Sequence, residues 1–125
     1  MPRSFALYLE DLLRAADRIT EYIAGLDKEA FLANGMAQSA VERQFTIIGE
    51  AMAQMRRRYP LLMEMLEDKH RIIGFRNILI HEYFYVDPNA VWSAVISGIA
   101  PFRAQVVQLQ TLLDAGQLSG LDNAT

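Results

Sequence analysis

Within "RNILIHEYF", residues 76–84, an arginine, an asparagine, a histidine and a tyrosine stand at Arg76, Asn77, His81 and Tyr83. A guanidinium is a planar fork that holds two oxygens of one phosphate at once. An imidazole titrates near neutral pH and can take up or give away a proton during a reaction. Together these types suit a phosphate site in which Arg76 grips the oxygens and His81 acts as acid or base. The chain has no cysteine, so neither a thiolate zinc site nor a disulfide framework is possible. No metal ligand set and no cofactor is expected.

The surroundings of these residues are apolar. On an ideal helical wheel with Leu66 at zero, the oily arc of residues 61–84 spans about 220° to 360°. Lys69, Arg76 and Tyr83 fall inside it, near 300°, 280° and 260°, while His70, Asn77 and His81 lie along its edge, at roughly 20° to 60°. Asn77 and His81 are four residues apart and can touch. An unpaired guanidinium in a core is costly. Arg76 therefore pairs with a carboxylate from another helix, snorkels to water, or lines a cleft that receives an anion. In the first case Asn77 and His81 satisfy each other and Tyr83 simply packs.

The elements that must carry this segment read as helices throughout. Phe5, Leu9, Leu12, Ala16, Ile19 and Ile23 step by four and three, which predicts a first helix capped by Ser4 and ended by Gly25. "DKEAFLAN" predicts a short turn capped by Asp27 and closed by Asn34-Gly35. Val41, Phe45, Ile48, Met52, Met55 and Tyr59 predict a second long helix over about 37–59, stopped by Pro60. Glu50 lies opposite Val41 and is expected in solvent. A third helical region runs over about 61–84, with Gly74 and "EDKH" as possible breaks. Asp87-Pro88 is a helix start, and the last helix is expected over about 89–115, kinked by Pro101 and stopped by Gly116.

No alternating strand pattern and no internal repeat appears. The expected fold is all-α, an antiparallel bundle of four to five helices, with residues 1–116 as one domain and 117–125 as a flexible tail. Hydrophobic residues make up 52% of the 125 residues, enough for a sizeable core and too many for disorder. The start of the chain carries Glu10, Asp11, Arg14 and Asp17 within its apolar pattern, unlike a signal peptide or a membrane span. A cytoplasmic location is expected. Net charge is −3, which excludes a globally basic nucleic-acid binder. Residues 56–81 are nevertheless basic, and Arg56, Arg57 and Arg58 fall where cations favour a helix C-terminus.

"GFRNILIHEYF" places an arginine, four residues, a histidine, one residue and a tyrosine in series. This resembles the signature of HEPN-domain proteins, in the HepT-like branch formerly grouped as a domain of unknown function. "AVERQFTIIGEA", residues 40–51, resembles the second helix of that branch, and "YVDPNAVWSAV" resembles the segment after its signature. The resemblance covers about residues 5–113. One departure is that no tryptophan precedes the motif in "LEDKHRIIGF".

The resemblance implies an all-helical bundle that forms a homodimer through the motif helices and can enter a larger hetero-oligomer. It implies the toxin of a toxin–antitoxin pair, a metal-independent endoribonuclease acting on RNA such as tRNA or mRNA. It also implies a minimal nucleotidyltransferase antitoxin that adenylylates the motif tyrosine. Carried over, Arg76 and His81 are catalytic, Asn77 supports them, and Tyr83 accepts the AMP group. A different reading of the same residues is a non-catalytic nucleotide-binding subunit that partners a separate nucleotidyltransferase. Its Arg76 and His81 would bind phosphate without cleaving RNA.

Overall fold

The computed structural model describes residues 3–66 and 87–120, and among them every regular element is an α-helix. These are α1 (Phe5–Tyr22), α2 (Lys28–Leu32), α3 (Gly35–Arg58), α4 (Pro60–Leu66) and α5 (Pro88–Asp114). The all-α expectation holds.

Local chemistry sets most helix ends. The Ser4 hydroxyl accepts from the Leu7 N–H at 3.2 Å and starts α1. The Asp27 carboxylate accepts from the Ala30 N–H at 2.8 Å and starts α2. Asn34 stands at the close of α2, where its N–H donates to the Phe31 carbonyl at 3.1 Å, and it also opens α3, where its Oδ1 accepts from the Ala37 N–H at 3.0 Å. Hence α3 begins at Gly35 rather than near residue 37. The side-chain amide of Gln38 also donates to the Phe31 and Leu32 carbonyls at the end of the five-residue α2, both at 3.0 Å. Pro60 separates α3 from α4 and itself opens α4, where its missing N–H costs nothing. At the far end, the Gln117 N–H donates to the Leu112 carbonyl and the Gly116 N–H to the Leu113 carbonyl, both at 3.1 Å. This closure needs the left-handed backbone that Gly116 supplies at φ +73°. It also turns Leu118 back onto the core, where it is 6% exposed. Residues 117–120 fall in the stretch expected as a tail, and within them Leu118 is buried and the Ser119 hydroxyl donates to the Gly116 carbonyl at 2.9 Å; residues 121–125 lie outside the described residues.

The apolar stripes become the core. Phe5, Leu9, Leu12, Ala16 and Ile19 of α1 meet Val41, Phe45, Ile48, Met52 and Met55 of α3, with Tyr59 at the end, and all are buried. Val91, Val95, Ile99, Phe102, Val106 and Leu109 of α5 complete it. Each fully buried Leu or Ile is worth about 1.5–3 kcal/mol as an upper bound. By length and composition α5 could cross a bilayer, but its apolar side is what the bundle core is built on. It continues through Pro101, which is inside the helix.

Three contacts set the directions of the helices. The Tyr59 hydroxyl donates to the Arg3 carbonyl at 2.8 Å, and its ring stands edge-on to Phe5 at 5.4 Å. The end of α3 therefore meets the start of α1, and the two run antiparallel. Phe31 and Trp92 have ring centroids 5.2 Å apart, so α5 begins at the opposite end of the bundle. Arg103 reaches Asp17 at 2.7 Å, as α5 returns along α1.

The Asp87 carboxylate accepts from the Asn89 N–H at 3.0 Å and from the Asn89 side-chain amide at 3.3 Å. Asp87→Ala removes this cap and should cost about 1 kcal/mol. Chemical denaturation measures it, and a change under a few tenths of a kcal/mol would show that α5 does not depend on the cap.

Candidate functional site

Arg76, Asn77, His81 and Tyr83 lie outside the described residues, as do Lys69 and His70. What the structure does give is the frame that holds the two ends of their segment. On one side α4 sets out from the end of the bundle where Tyr59 meets Arg3, and it finishes at Leu66, which is fully buried. On the other side Asp87 opens α5 at the end where Phe31 meets Trp92. The chain between residues 66 and 87 carries all four chemical groups between these anchors.

The charges of the frame bear on what could neutralise a cation in the core. Among the described residues no carboxylate is buried; the single buried polar residue is Gln44. Asp11 pairs with Arg3 at 2.9 Å and with Arg14 at 3.7 Å. Asp17 is held by Arg103, and Asp27 and Asp87 cap helices. Partial burial, which removes water from the charged form, raises the Glu42 carboxyl above its ordinary range. Glu50 is exposed, as expected. The described part of the core therefore contains no acid that could serve as a buried counterion.

Gln44 was not singled out by sequence, although it sits three residues after Val41 and so about 60° from it on the wheel. It is 5% exposed, and its Oε1 has no hydrogen-bond partner. A buried acceptor left unpaired costs about 1–3 kcal/mol. Gln44→Leu should raise stability by about 1 kcal/mol, since it removes the orphan at similar volume. A loss of that size on thermal or urea unfolding would instead show that this oxygen is hydrogen-bonded in solution.

The arginine run lies at the other extreme of exposure. Arg56 and Arg57 are exposed and Arg58 is half-buried, all in the last turn of α3.

Comparison with known proteins gives a consistent picture. The profile of a family described as "Ribonuclease HepT-like" matches residues 12–109, which includes the undescribed segment and both of its anchors. A protein of Thermococcus cleftensis named "Probable ribonuclease HepT" is 32% identical over 110 residues, covering 88% of this chain and 99% of that one. A "Putative RNase" of Methanocaldococcus jannaschii is 31% identical over 104 residues, covering 83% and 94% respectively. Another "Putative RNase", from Caldanaerobacter subterraneus subsp. tengcongensis, is 29% identical over 108 residues, covering 82% and 90%. No solved structure matches the chain.

Proposed function

The chain belongs to the ribonuclease HepT-like family, and from that premise we propose that it is a metal-independent endoribonuclease, the toxin of a cytoplasmic toxin–antitoxin pair. The observation that carries the reading is the series Arg76, His81 and Tyr83 inside the matched stretch 12–109.

The chemistry follows from the residue types. Loss of its proton turns the ribose 2′-hydroxyl into a nucleophile for the adjacent phosphorus. The new O2′–P bond forms as the P–O5′ bond breaks, and the leaving 5′-oxygen receives a proton. The products are a 2′,3′-cyclic phosphate and a 5′-hydroxyl. The step needs a base, an acid and positive charge on the pentavalent phosphate. His81 provides one proton transfer and Arg76 holds two non-bridging oxygens. A two-fold dimer through the motif segments would bring a second His81 and a second Arg76 to the same cleft. One imidazole then takes the proton while the other gives one. The absence of a buried carboxylate among the described residues supports this reading, because none of them offers Arg76 a buried counterion.

The test is cleavage of RNA by the purified protein in EDTA, with the ends of the fragments identified. Cyclic phosphate ends are expected. Fragments with plain 3′-hydroxyl ends, or cleavage only with magnesium, would remove the mechanism.

Tyr83 is the proposed point of control. A nucleotidyltransferase antitoxin would transfer AMP from ATP to its phenol oxygen, releasing pyrophosphate. The adduct adds bulk and negative charge beside Arg76 and competes with the RNA phosphate. Tyr83→Phe should stay active as a ribonuclease and escape silencing when antitoxin and ATP are added. Silencing of this variant with AMP still incorporated would place the acceptor elsewhere.

A further inference from the structure

We propose that Arg57 and Arg58, at the end of α3, form a second contact for the RNA backbone and hold substrate phosphates outside the reaction centre. This rests on the ribonuclease reading above and adds a binding surface to it.

Three arginines in succession close α3. A cation in the last helical turn gains from the helix dipole. Successive side chains, however, fan out by about 100° each, so the dipole accounts for a cation here and not for three pointing in different directions. Arg57 and Arg58 make no ion pair with a described carboxylate. The acids that pair with arginine in the frame, Asp11 and Asp17, are committed to Arg3, Arg14 and Arg103. Arg58 also has its Nε sealed from solvent without an acceptor. Part of a charged group has lost its water and gained no counter-charge from a described residue, which an anion at the outer edge of the fork would supply.

The backbone beneath these side chains is pinned. Tyr59 is buried, its ring rests on Phe5, and its hydroxyl holds the Arg3 carbonyl. A ligand here therefore orders side chains alone, a smaller cost than ordering a loop. Asp27, Glu29 and Asp87 stand against Lys28 at the far end, where Phe31 meets Trp92. A polyanion gains less at that end than at exposed arginines. RNA is the polyanion that the proposed reaction brings to this protein.

The experiment measures binding of a fluorescent single-stranded RNA of about 20 nucleotides to the His81→Ala protein, between about 50 and 200 mM salt. Each phosphate contact on a single strand contributes about 0.7 to the slope of log affinity against log salt, so Arg57→Gln/Arg58→Gln should flatten the slope by about 1.4. Affinity at low salt should fall about ten-fold. Arg57→Lys/Arg58→Lys should keep the slope, since the charges remain. On a background with His81 intact, the double Gln variant should raise KM about ten-fold for the long RNA and leave kcat within about two-fold. Should the double variant melt early, Arg57→Gln alone, at an exposed position, should take half of the slope change. Unchanged slope and affinity in a protein that still cleaves RNA would overturn this inference alone. A wild-type protein that neither binds nor cleaves RNA would overturn the ribonuclease reading, and this one with it.

Discussion

His81→Ala is expected to slow RNA cleavage by about 10³-fold, with the helical signal of the protein retained. A positioned general acid or base contributes about 10²–10⁴-fold, and in a two-fold site one substitution removes both the base and the acid. Arg76→Ala should cost about 10²–10³-fold, the scale for removing a preorganised donor to a charged transition state. Arg76→Lys should recover little, because an ammonium cannot form the two parallel bonds of the fork. Mixing the two inactive variants adds a sharper reading. A heterodimer of His81→Ala and Arg76→Ala holds one intact His81 and one intact Arg76, so partial activity on mixing would point to a site shared between protomers. Single-turnover rates on a defined RNA measure all of this. Full activity in His81→Ala would end the assignment of this residue to proton transfer.

Phe31→Ala is expected to destabilise the protein by about 3–5 kcal/mol, the range for deleting a buried phenyl ring. Phe31 is fully buried in α2, a helix of five residues. A helix so short has no stability of its own in water and depends on packing. Its one buried residue lies against Trp92 in the first turns of α5. Removing the ring therefore loosens both the α1–α3 connection and the start of α5. Against a total of about 5–15 kcal/mol for a domain, this is a large fraction, and urea unfolding would show it directly. Because α5 begins just after the motif-bearing segment, RNA cleavage should also become more temperature-sensitive than in the parent protein. A loss under about 1 kcal/mol would show that α2 is dispensable to the frame.

Much of this molecule is written in short-range pattern. The stripe from Val41 through Met55 to Tyr59 is buried as its spacing requires, and Glu50, opposite it, is exposed. Ser4, Asp27 and Asp87 cap the helices they precede. Helical periodicity and capping depend on residues within about one or two turns of each other, so one stretch of chain contains the whole cause. The series at Arg76, Asn77, His81 and Tyr83 stands out in the sequence for a related reason, Arg76 and Tyr83 falling inside the oily arc of the wheel and Asn77 and His81 along its edge, but it lies outside the described residues. Asn34 shows the edge of such reading. A residue type suited to closing one helix is equally suited to opening the next, and Asn34 does both, donating its N–H to the Phe31 carbonyl and accepting from the Ala37 N–H.

Partners distant in the chain could not be read that way. Nothing local to Tyr59 announces that its hydroxyl will find the carbonyl of Arg3, 56 positions away. Nor does local sequence say that Phe31 will lie on Trp92, that Asp17 will take Arg103, or that Leu118 will fold back onto the core. Each of these contacts is chosen by how whole helices pack, and many apolar or charged residues would have matched on type alone. The same holds for the unpaired oxygen of Gln44 and the half-sealed guanidinium of Arg58. A polar atom is orphaned by what surrounds it in three dimensions. Residue identity and spacing were thus enough for the described helices and for the caps at Ser4, Asp27 and Asp87. Helix direction, the pairing of distant charges and the polar atoms left wanting a partner came from packing, because burial is a property of the assembled chain.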